Sequence, residues 1–134
     1  MARRIDVRTT EREQLVDITR DVQTAVKEAG LEDGLLHLWC LHTTCALTVN
    51  EGADPDVATD IVKCLRGLVP QSDTFTHVEG NSDAHVKTSL FGPGITLAVE
   101  GGGLVLGTWQ HVYLAEWDGP RSRRVAVTAI AAVR

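Results

Sequence analysis

The sequence predicts an α+β fold, a single domain in which a mixed, largely antiparallel sheet packs against two main helices. Two segments in the first half of the chain carry helical periodicity, and strand-like segments surround them. Residues 95–133 then form a run of strand segments without a long helical crossover, which favours antiparallel pairing. The 134 residues are enough for one domain, 1–134, with one hydrophobic core.

The composition is typical of a soluble globular protein. Hydrophobic residues make up 43% and charged residues 23% of the chain. No segment approaches the run of about 18 apolar residues that crosses a membrane, and the start MARRIDVRTT lacks the apolar stretch of a secretory signal. The three cysteines form no C-x-x-C pair, which argues against a disulfide framework and a zinc ribbon. We therefore expect a cytoplasmic protein with no membrane partner.

The first strand and helix are predicted from residues 2–29. Residues 2–9 alternate in part and indicate a strand. Thr10 and Glu13 have the spacing of a capping box, which predicts a helix that continues to about residue 29. Gly30 then supplies a left-handed stop. The predicted apolar stripe of this helix consists of Leu15, Ile18, Val22, Ala25, Val26 and Ala29.

Two strands and a second helix follow. Residues 34–42 and 45–50 indicate strands separated by two threonines, so they form either a hairpin or one bulged strand. Asp54 and Pro55 are a strong helix start, and Pro70 ends that helix. Its predicted buried stripe consists of Val57, Ile61, Cys64, Leu65 and Leu68.

The second half of the chain begins with a polar, turn-rich segment, residues 71–94, with a short helix predicted over 83–91. Three strands are predicted after it, over residues 95–100, 109–118 and 124–133, with a glycine turn and a short strand in 101–108.

Several polar residues are candidates for chemistry. The stretch HVEGNSDAH (77–85) holds imidazole and carboxylate groups that are ligands for zinc or manganese, although a solvated polar loop explains the same residues. The turn DGPR gives Arg121 a defined position, and its planar guanidinium suits a phosphate or carboxylate. Trp109 and Trp117 fall on one face of the predicted strand over residues 109–118, where we interpret them as core or interface anchors. Glu51 has no turn or capping preference that explains it.

Nucleic acid is not an expected partner. The formal net charge is −5, so binding to phosphate backbones would need a local basic patch. GPRSRR (119–124) is the only basic cluster in the sequence.

Three stretches together resemble the signatures of the YjbQ-like family, whose members are labelled secondary thiamine-phosphate synthases. They are HTTCALTVNEGADPDV, H-x-EGNSDAH-x-K-x-SL-x-GPG and LGTWQ-x-x-YLAE-x-DGPRSRRV. The resemblance implies a YjbQ-like fold, assembly as a homotrimer, and a polar pocket near subunit contacts that takes a metal or an anion. Cys45 departs from the alanine or serine expected at its position, with little change in volume.

The activity that the resemblance implies joins a hydroxymethylpyrimidine diphosphate to a thiazole phosphate and releases diphosphate. Such a reaction needs cations beside the leaving group and a pocket that holds two anionic substrates in contact. The implied catalytic residues are Glu51, Asp54 and His42. The implied phosphate-binding residues are Asn50, Asn81, Lys87, Gln110 and Arg121. The implied ligands of a divalent metal (zinc, magnesium or manganese) are His77, His85 and Glu79, and His111, at a position where family members vary, is a further candidate ligand.

Two rival interpretations remain at this point. In the first, the same pocket belongs to a non-catalytic homotrimeric module that binds a metal or a small phosphorylated metabolite. In the second, the polar loops only pack the subunits of a structural trimer.

Overall fold

The computed structural model describes residues 3–133, which form eight strands and three helices. In chain order these are β1 (Arg3–Arg8), β2 (Gln14–Asp17), α1 (Thr19–Ala29), β3 (Gly34–Cys40), β4 (Cys45–Glu51), α2 (Pro55–Leu68), α3 (Ser82–Phe91), β5 (Gly94–Glu100), β6 (Gly103–Leu104), β7 (Gln110–Glu116) and β8 (Ser122–Ala131). The described strand pairs are antiparallel. The α+β fold class is therefore confirmed. No helix in this part of the chain is long and apolar enough to cross a membrane.

The strands form two sheets, and three connections between the sheets meet at one end. The larger sheet has the order β1-β8-β3-β5-β6 and the smaller has the order β2-β7-β4. Arg8 at the end of β1 pairs with Ser122, and Cys40 at the end of β3 pairs with Val125. In the small sheet, the first residues of β2 and β4 both pair with Glu116. Residues 9–13, 41–44 and 117–121 therefore cross between the sheets at the same end.

The large sheet, the small sheet and the helices α2 and α3 form three layers, with a hydrophobic cluster between each layer and the next. The first cluster lies between the sheets and includes Leu38 of the large sheet, Leu114 of the small sheet and Val22 of α1. The second lies between the other face of the small sheet and the helices α2 and α3, and it includes Ala115 and Trp117. Because the small sheet is covered on both faces, residues 112–117 are all buried instead of alternating.

The predicted start of the first helix is wrong. Residues 14–17 pair with β7 as strand β2, and the helix begins at Thr19. Thr10 does not cap a helix, since its backbone N–H donates to Gln14 Oε1 at 2.6 Å. Leu15 therefore lies in a strand, whereas Val22 and Val26 of the predicted stripe are buried in the core. The predicted stop is confirmed, because Gly30 has φ 66° in the left-handed region.

The predicted hairpin or bulged strand at residues 34–50 is also wrong. β3 and β4 belong to different sheets, and residues 41–44 carry the chain from one sheet to the other. Cys40 and Cys45, at the two ends of this connection, are buried in the same core cluster. The buried anchors hold the ends of a short loop that contains His42.

The second helix starts where predicted but buries less than predicted. Asp54 accepts a hydrogen bond from the Asp56 N–H at 2.9 Å, and the helix ends before Pro70. Val62 is its buried residue, while Leu68 of the predicted stripe is 71% exposed. The helix therefore covers the small sheet along a narrow contact. The predicted helix over 83–91 forms as α3.

The two tryptophans of the predicted 109–118 strand have different environments. Trp117 is fully buried, and its ring packs edge-on against Phe91 with centroids 5.2 Å apart. Trp109 precedes β7 and is 62% exposed. The interpretation as a core or interface anchor is therefore confirmed for Trp117 in the core, and for Trp109 the interface alternative stays a prediction.

Two groups of charged side chains are buried beside the small sheet. Lys87 Nζ is fully buried and lies 2.6 Å from Glu13 Oε2 and 2.8 Å from Asp83 Oδ2. Arg12 and Arg66 add a second cation to each of these carboxylates. These contacts join residues 9–13, before β2, to α2 and α3.

The second group is the pair formed by Glu116 and Arg123. The Arg123 Nε donates to Glu116 Oε1 at 2.8 Å, and its Nη2 makes a further short contact with Glu116 Oε2. The same Nη2 donates to Thr44 Oγ1 at 2.9 Å. Thr9 Oγ1 donates to Glu116 Oε1 at 2.7 Å. The Asp118 N–H donates to Glu116 Oε2 at 3.0 Å, so all three sheet-to-sheet connections are tied to one buried ion pair.

Replacing Arg123 by methionine should lower the free energy of unfolding by about 3–5 kcal/mol, because it leaves Glu116 with an uncompensated buried charge. Arg124→Met is the matched control, since the neighbouring guanidinium contacts Asp6 at 3.3 Å with side chains 61% and 80% exposed. Exposed pairs contribute only about 0–1 kcal/mol. Urea unfolding measures both variants, and equal losses would contradict a structural role for the buried pair.

Acid should destabilise the protein through its buried carboxylates. Burial opposes the charge of Glu116, but hydrogen bonds from Arg123, the Asp118 N–H and Thr9 outweigh it and hold its pKa below the ordinary 4.5. A lowered folded-state pKa contributes stability that is complete above about 4.5 and is lost as the pH falls further. We expect Glu116→Gln to flatten the decline of unfolding free energy below that pH. Glu28→Gln, at an exposed ion pair, is the control. Identical pH profiles for wild type and Glu116→Gln would refute this account.

Candidate functional site

A polar hollow of about 610 Å³ opens where the sheet-to-sheet connections meet. It is lined by residues 41–44, Glu79, Asn81, His85, Asp118 and 121–123. These residues come from three of the sequence stretches that indicated chemistry, which lie tens of positions apart in the chain. A volume of this size is in the range of small-molecule sites.

The wall of the hollow that carries Arg121 is held by several hydrogen bonds. The Arg121 N–H donates to Thr9 Oγ1 at 2.9 Å, and the Arg121 Nε donates to the Asp118 carbonyl at 2.8 Å. Asp118 Oδ2 lies 3.2 Å from Arg121 Nη2 and also accepts from Asn81 Nδ2 at 2.9 Å. The guanidinium is therefore oriented but half-exposed, with donors free for an anion.

Asn81 contributes an enclosed acceptor to the same wall. Its Oδ1 is buried and has no hydrogen-bond partner among the described residues. An enclosed polar atom without a partner costs free energy, so the site can gain stability from a donor or a water that reaches it.

His42 is held as a neutral ring. Its Nε2 accepts the backbone N–H of Arg124 at 2.8 Å, which assigns the ring proton to Nδ1. Burial, followed by the nearby positive charge of Arg123, keeps the pKa of His42 below its ordinary value of 6.5. At neutral pH the ring is therefore a hydrogen-bonding group instead of a cation.

The predicted metal ligands do not form a metal centre as placed. The rings of His77 and His85 lie edge-on with centroids 5.5 Å apart, and His77 Nδ1 lies 3.1 Å from Ser82 Oγ. Glu79 Oε1 is 3.8 Å from His77 Nε2. Within residues 3–133, no three histidine, cysteine or acidic side chains are grouped to hold an ion. Nitrogen and oxygen donors are present, but their arrangement does not fit a resident metal.

The Asn50–Asp54 corner lies at the opposite end of the small sheet. Asn50 pairs with His111, and Glu51 pairs with Gln110, whereas the hollow lies beyond Glu116 at the other end of β7. Seven strand residues span about 20 Å. One chain therefore does not bring Glu51, Asp54, Asn50 and Gln110 into the hollow with His42.

Local structure explains the acids of this corner. Glu51 Oε2 accepts the backbone N–H groups of Ala53 at 2.7 Å and Asp54 at 3.3 Å, so it stabilises the turn before α2. The expectation that Glu51 has no turn or capping role is wrong. Asp54 caps α2 through the Asp56 N–H.

His111 is part of a separate contact. Its Nδ1 lies 2.5 Å from Asp17 Oδ2, and it lines a separate hollow of about 820 Å³ along α1. A Cβ at Gly52 would lie 2.0 Å from the His111 ring, so only glycine leaves room for this placement. His111 is therefore separated from His77 and His85.

Lys87 does not line the hollow. Its ammonium is enclosed by Glu13 and Asp83, and it lies 5.8 Å from the Trp117 ring centroid. The arginines of the basic stretch are also divided, because Arg123 is buried in its ion pair while Arg121 and Arg124 are exposed. The stretch does not form a continuous basic surface.

The sequence did not indicate a role for Thr9, Thr44 and Glu116, whose hydrogen bonds hold the loops that line the hollow. The available signal was a pair of opposite charges, Glu116 and Arg123, that flank one turn within otherwise apolar strands. Their burial depends on the covered faces of both strands, which the pattern does not reveal.

Comparison with known proteins gives consistent matches over nearly the whole chain. A family model described as UPF0047 protein YjbQ-like matches residues 3–132. A UPF0047 protein of Methanocaldococcus jannaschii is 46% identical over 124 residues, covering 92% of this chain and 90% of the relative. The UPF0047 protein YugU of Bacillus subtilis is 41% identical over 124 residues, covering 92% and 94%.

Solved structures of similar sequence also have the same fold. An uncharacterized conserved protein of the YjbQ/UPF0047 family from Clostridium acetobutylicum has a TM-score of 0.92 and 46% identity, covering 95% of this chain and 98% of that one. A conserved hypothetical protein from Thermus thermophilus has a TM-score of 0.88 and 47% identity, with the same coverage.

Proposed function

The chain belongs to the YjbQ-like UPF0047 family, and on that premise we propose that it is a cytoplasmic enzyme that binds phosphorylated metabolites in the hollow between His42, His85 and Arg121. The proposed reaction is a weak, secondary thiamine-phosphate synthesis. The observation that carries the proposal is that three distant stretches of sequence supply one polar hollow with an oriented, half-exposed arginine.

The proposed reaction needs no general base, and it uses the half-exposed Arg121 and the hydrogen-bonding groups of the hollow. The thiazole nitrogen forms a bond to the pyrimidine methylene carbon while the bond from that carbon to a diphosphate oxygen breaks. The electron pair leaves with the diphosphate, so no proton has to be removed. Catalysis then consists of positioning two substrates and stabilising the charge of the leaving group.

Each residue of the hollow has a defined part in this proposal. Arg121 pairs with the diphosphate, because its guanidinium can donate two parallel hydrogen bonds. His85 and neutral His42 contribute hydrogen bonds that fix the substrates, and Asn81 and Asp118 orient the arginine. The hollow of one chain does not include five residues to which the sequence assigned a role, and those roles stay predictions. These residues are Glu51, Asp54, Asn50, Gln110 and Lys87.

A divalent cation belongs to the proposal as part of the substrate. Magnesium usually binds through substrate phosphates and one or two carboxylates instead of an all-protein cage. A magnesium or manganese diphosphate complex fits the described donors better than a resident zinc ion, for which three grouped ligands are needed.

A non-catalytic binding module is the second candidate function. It is favoured by the placement of Glu51 and Asp54, whose carboxylates are engaged in turn and cap contacts about a strand length from the hollow. In this case the same hollow holds a phosphorylated metabolite without turnover.

Purified protein should form thiamine phosphate from both substrates with magnesium. Arg121→Gln should lower the rate about a hundred-fold, since removing one donor to a developing anion has an effect of that order. His85→Gln should lower the rate by a smaller factor. Arg20→Gln and His111→Gln are the matched controls, because both residues line the separate hollow along α1.

Product quantified by chromatography decides among the interpretations. Equal rates for Arg121→Gln and Arg20→Gln would exclude the hollow as the site. Thermal stabilisation by the diphosphate substrate without product, abolished in Arg121→Gln, would support the binding module instead.

We also propose self-association, as a homotrimer, through the outer face of the large sheet. Leu35, Trp39 and Ile130 project from this face and are 45%, 46% and 55% exposed. Leu35 and Ile130 are directly paired, and the Trp39 ring lies over Gly94, where a Cβ would approach it to 2.7 Å. Neighbouring exposed apolar side chains of this kind are typical of interaction surfaces.

Multi-angle light scattering of the purified protein should give a trimer mass. Leu35→Asp combined with Trp39→Ser should shift the mass toward the monomer, because burying a new carboxylate in an apolar interface is unfavourable. Leu68→Asp, at an exposed position near the end of α2, is the control. A monomeric wild type, or a double variant of unchanged mass, would exclude this face as the interface.

A further inference from the structure

A second hollow adjoins the proposed site and shares one wall with it. It measures about 650 Å³ and is lined by residues 6–8, 41–42 and 122–124. Four of these residues, at 41–42 and 122–123, also line the first hollow. The two spaces therefore lie on either side of His42 and Ser122.

The second hollow has its own exposed cations. Arg8 Nη1 donates to Ser122 Oγ at 3.3 Å and has no carboxylate within 4.0 Å among residues 3–133. The Arg124 guanidinium lies 3.3 Å from the exposed Asp6. Such an exposed pair is weak and leaves guanidinium donors available to an anion.

The position of these arginines is fixed by the same end of the fold as Arg121. Arg8 pairs with Ser122 in the β1–β8 ladder, next to the turn that carries Arg121. The backbone of Arg124 is held at both ends, since its N–H donates to His42 Nε2 and its carbonyl accepts the Leu41 N–H at 3.1 Å. In a chain with net charge −5, exposed arginines therefore border both hollows, Arg121 at the first and Arg8 and Arg124 at the second.

We propose that Arg8 and Arg124 form a second anion subsite, so that the phosphates of the two proposed substrates bind apart, one at Arg121 and the other at Arg8 and Arg124. The inference deepens the proposed function and rests on it. The shared wall formed by His42 and Ser122 lies between the two anions.

Calorimetric titration with inorganic phosphate and with alkanediol bisphosphates of increasing length tests the proposal. One bisphosphate length should bind at least about ten-fold more tightly than inorganic phosphate, because the second contact becomes intramolecular. Combined Arg8→Gln and Arg124→Gln should remove this advantage while inorganic phosphate still binds. Arg20→Gln, on α1, should change neither affinity.

The outcomes separate the two proposals. If the bisphosphate advantage persists in the Arg8 and Arg124 double variant, or no length has an advantage, the second anion site is wrong and the first is unaffected. If Arg121→Gln leaves phosphate binding unchanged, the proposed function itself fails. If Arg20→Gln weakens the binding of both ligands as much as the site variants do, general charge attraction explains both effects and the inference is wrong.

Discussion

The buried ion pair between Glu116 and Arg123 is the constraint on which the candidate site depends. Its hydrogen bonds reach Thr9, Thr44 and the Asp118 N–H, so each of the three connections between the two sheets is tied to it. A buried pair of this kind gives little net stability compared with apolar packing, but the loss of one partner is costly. Its consequence here is geometric, because it determines where the loops that line the hollow can lie.

The segregation of polar residues to two ends of the small sheet follows from strand direction. β4 and β7 are antiparallel, so the start of one meets the end of the other, and polar residues at opposite ends of the same strand stay about 20 Å apart. His42 and Arg121 belong to one end, and Glu51 and His111 belong to the other. Adjacency in the sequence therefore does not imply a common site within one chain.

The chemistry of the hollow is set by which charges are already satisfied. Lys87 and Arg123 are positively charged, but each is paired with a buried carboxylate that offsets its charge. Arg121 keeps part of its surface open, and His42 is kept neutral by burial beside Arg123. Under the proposed function, such a site binds an anion through a few directed donors, and its affinity depends on positioning more than on total charge.

The sequence by itself determined the fold class, most element positions, the Asp54 cap and the Gly30 stop, because these depend on local periodicity and backbone preference. It also identified the stretches that supply the hollow. Only the tertiary structure decided that residues 14–17 join a strand, that β3 and β4 separate into two sheets, and that Glu116 and Arg123 are buried together. These features depend on contacts between residues distant in the chain, and a local pattern does not reveal which other segment covers each face.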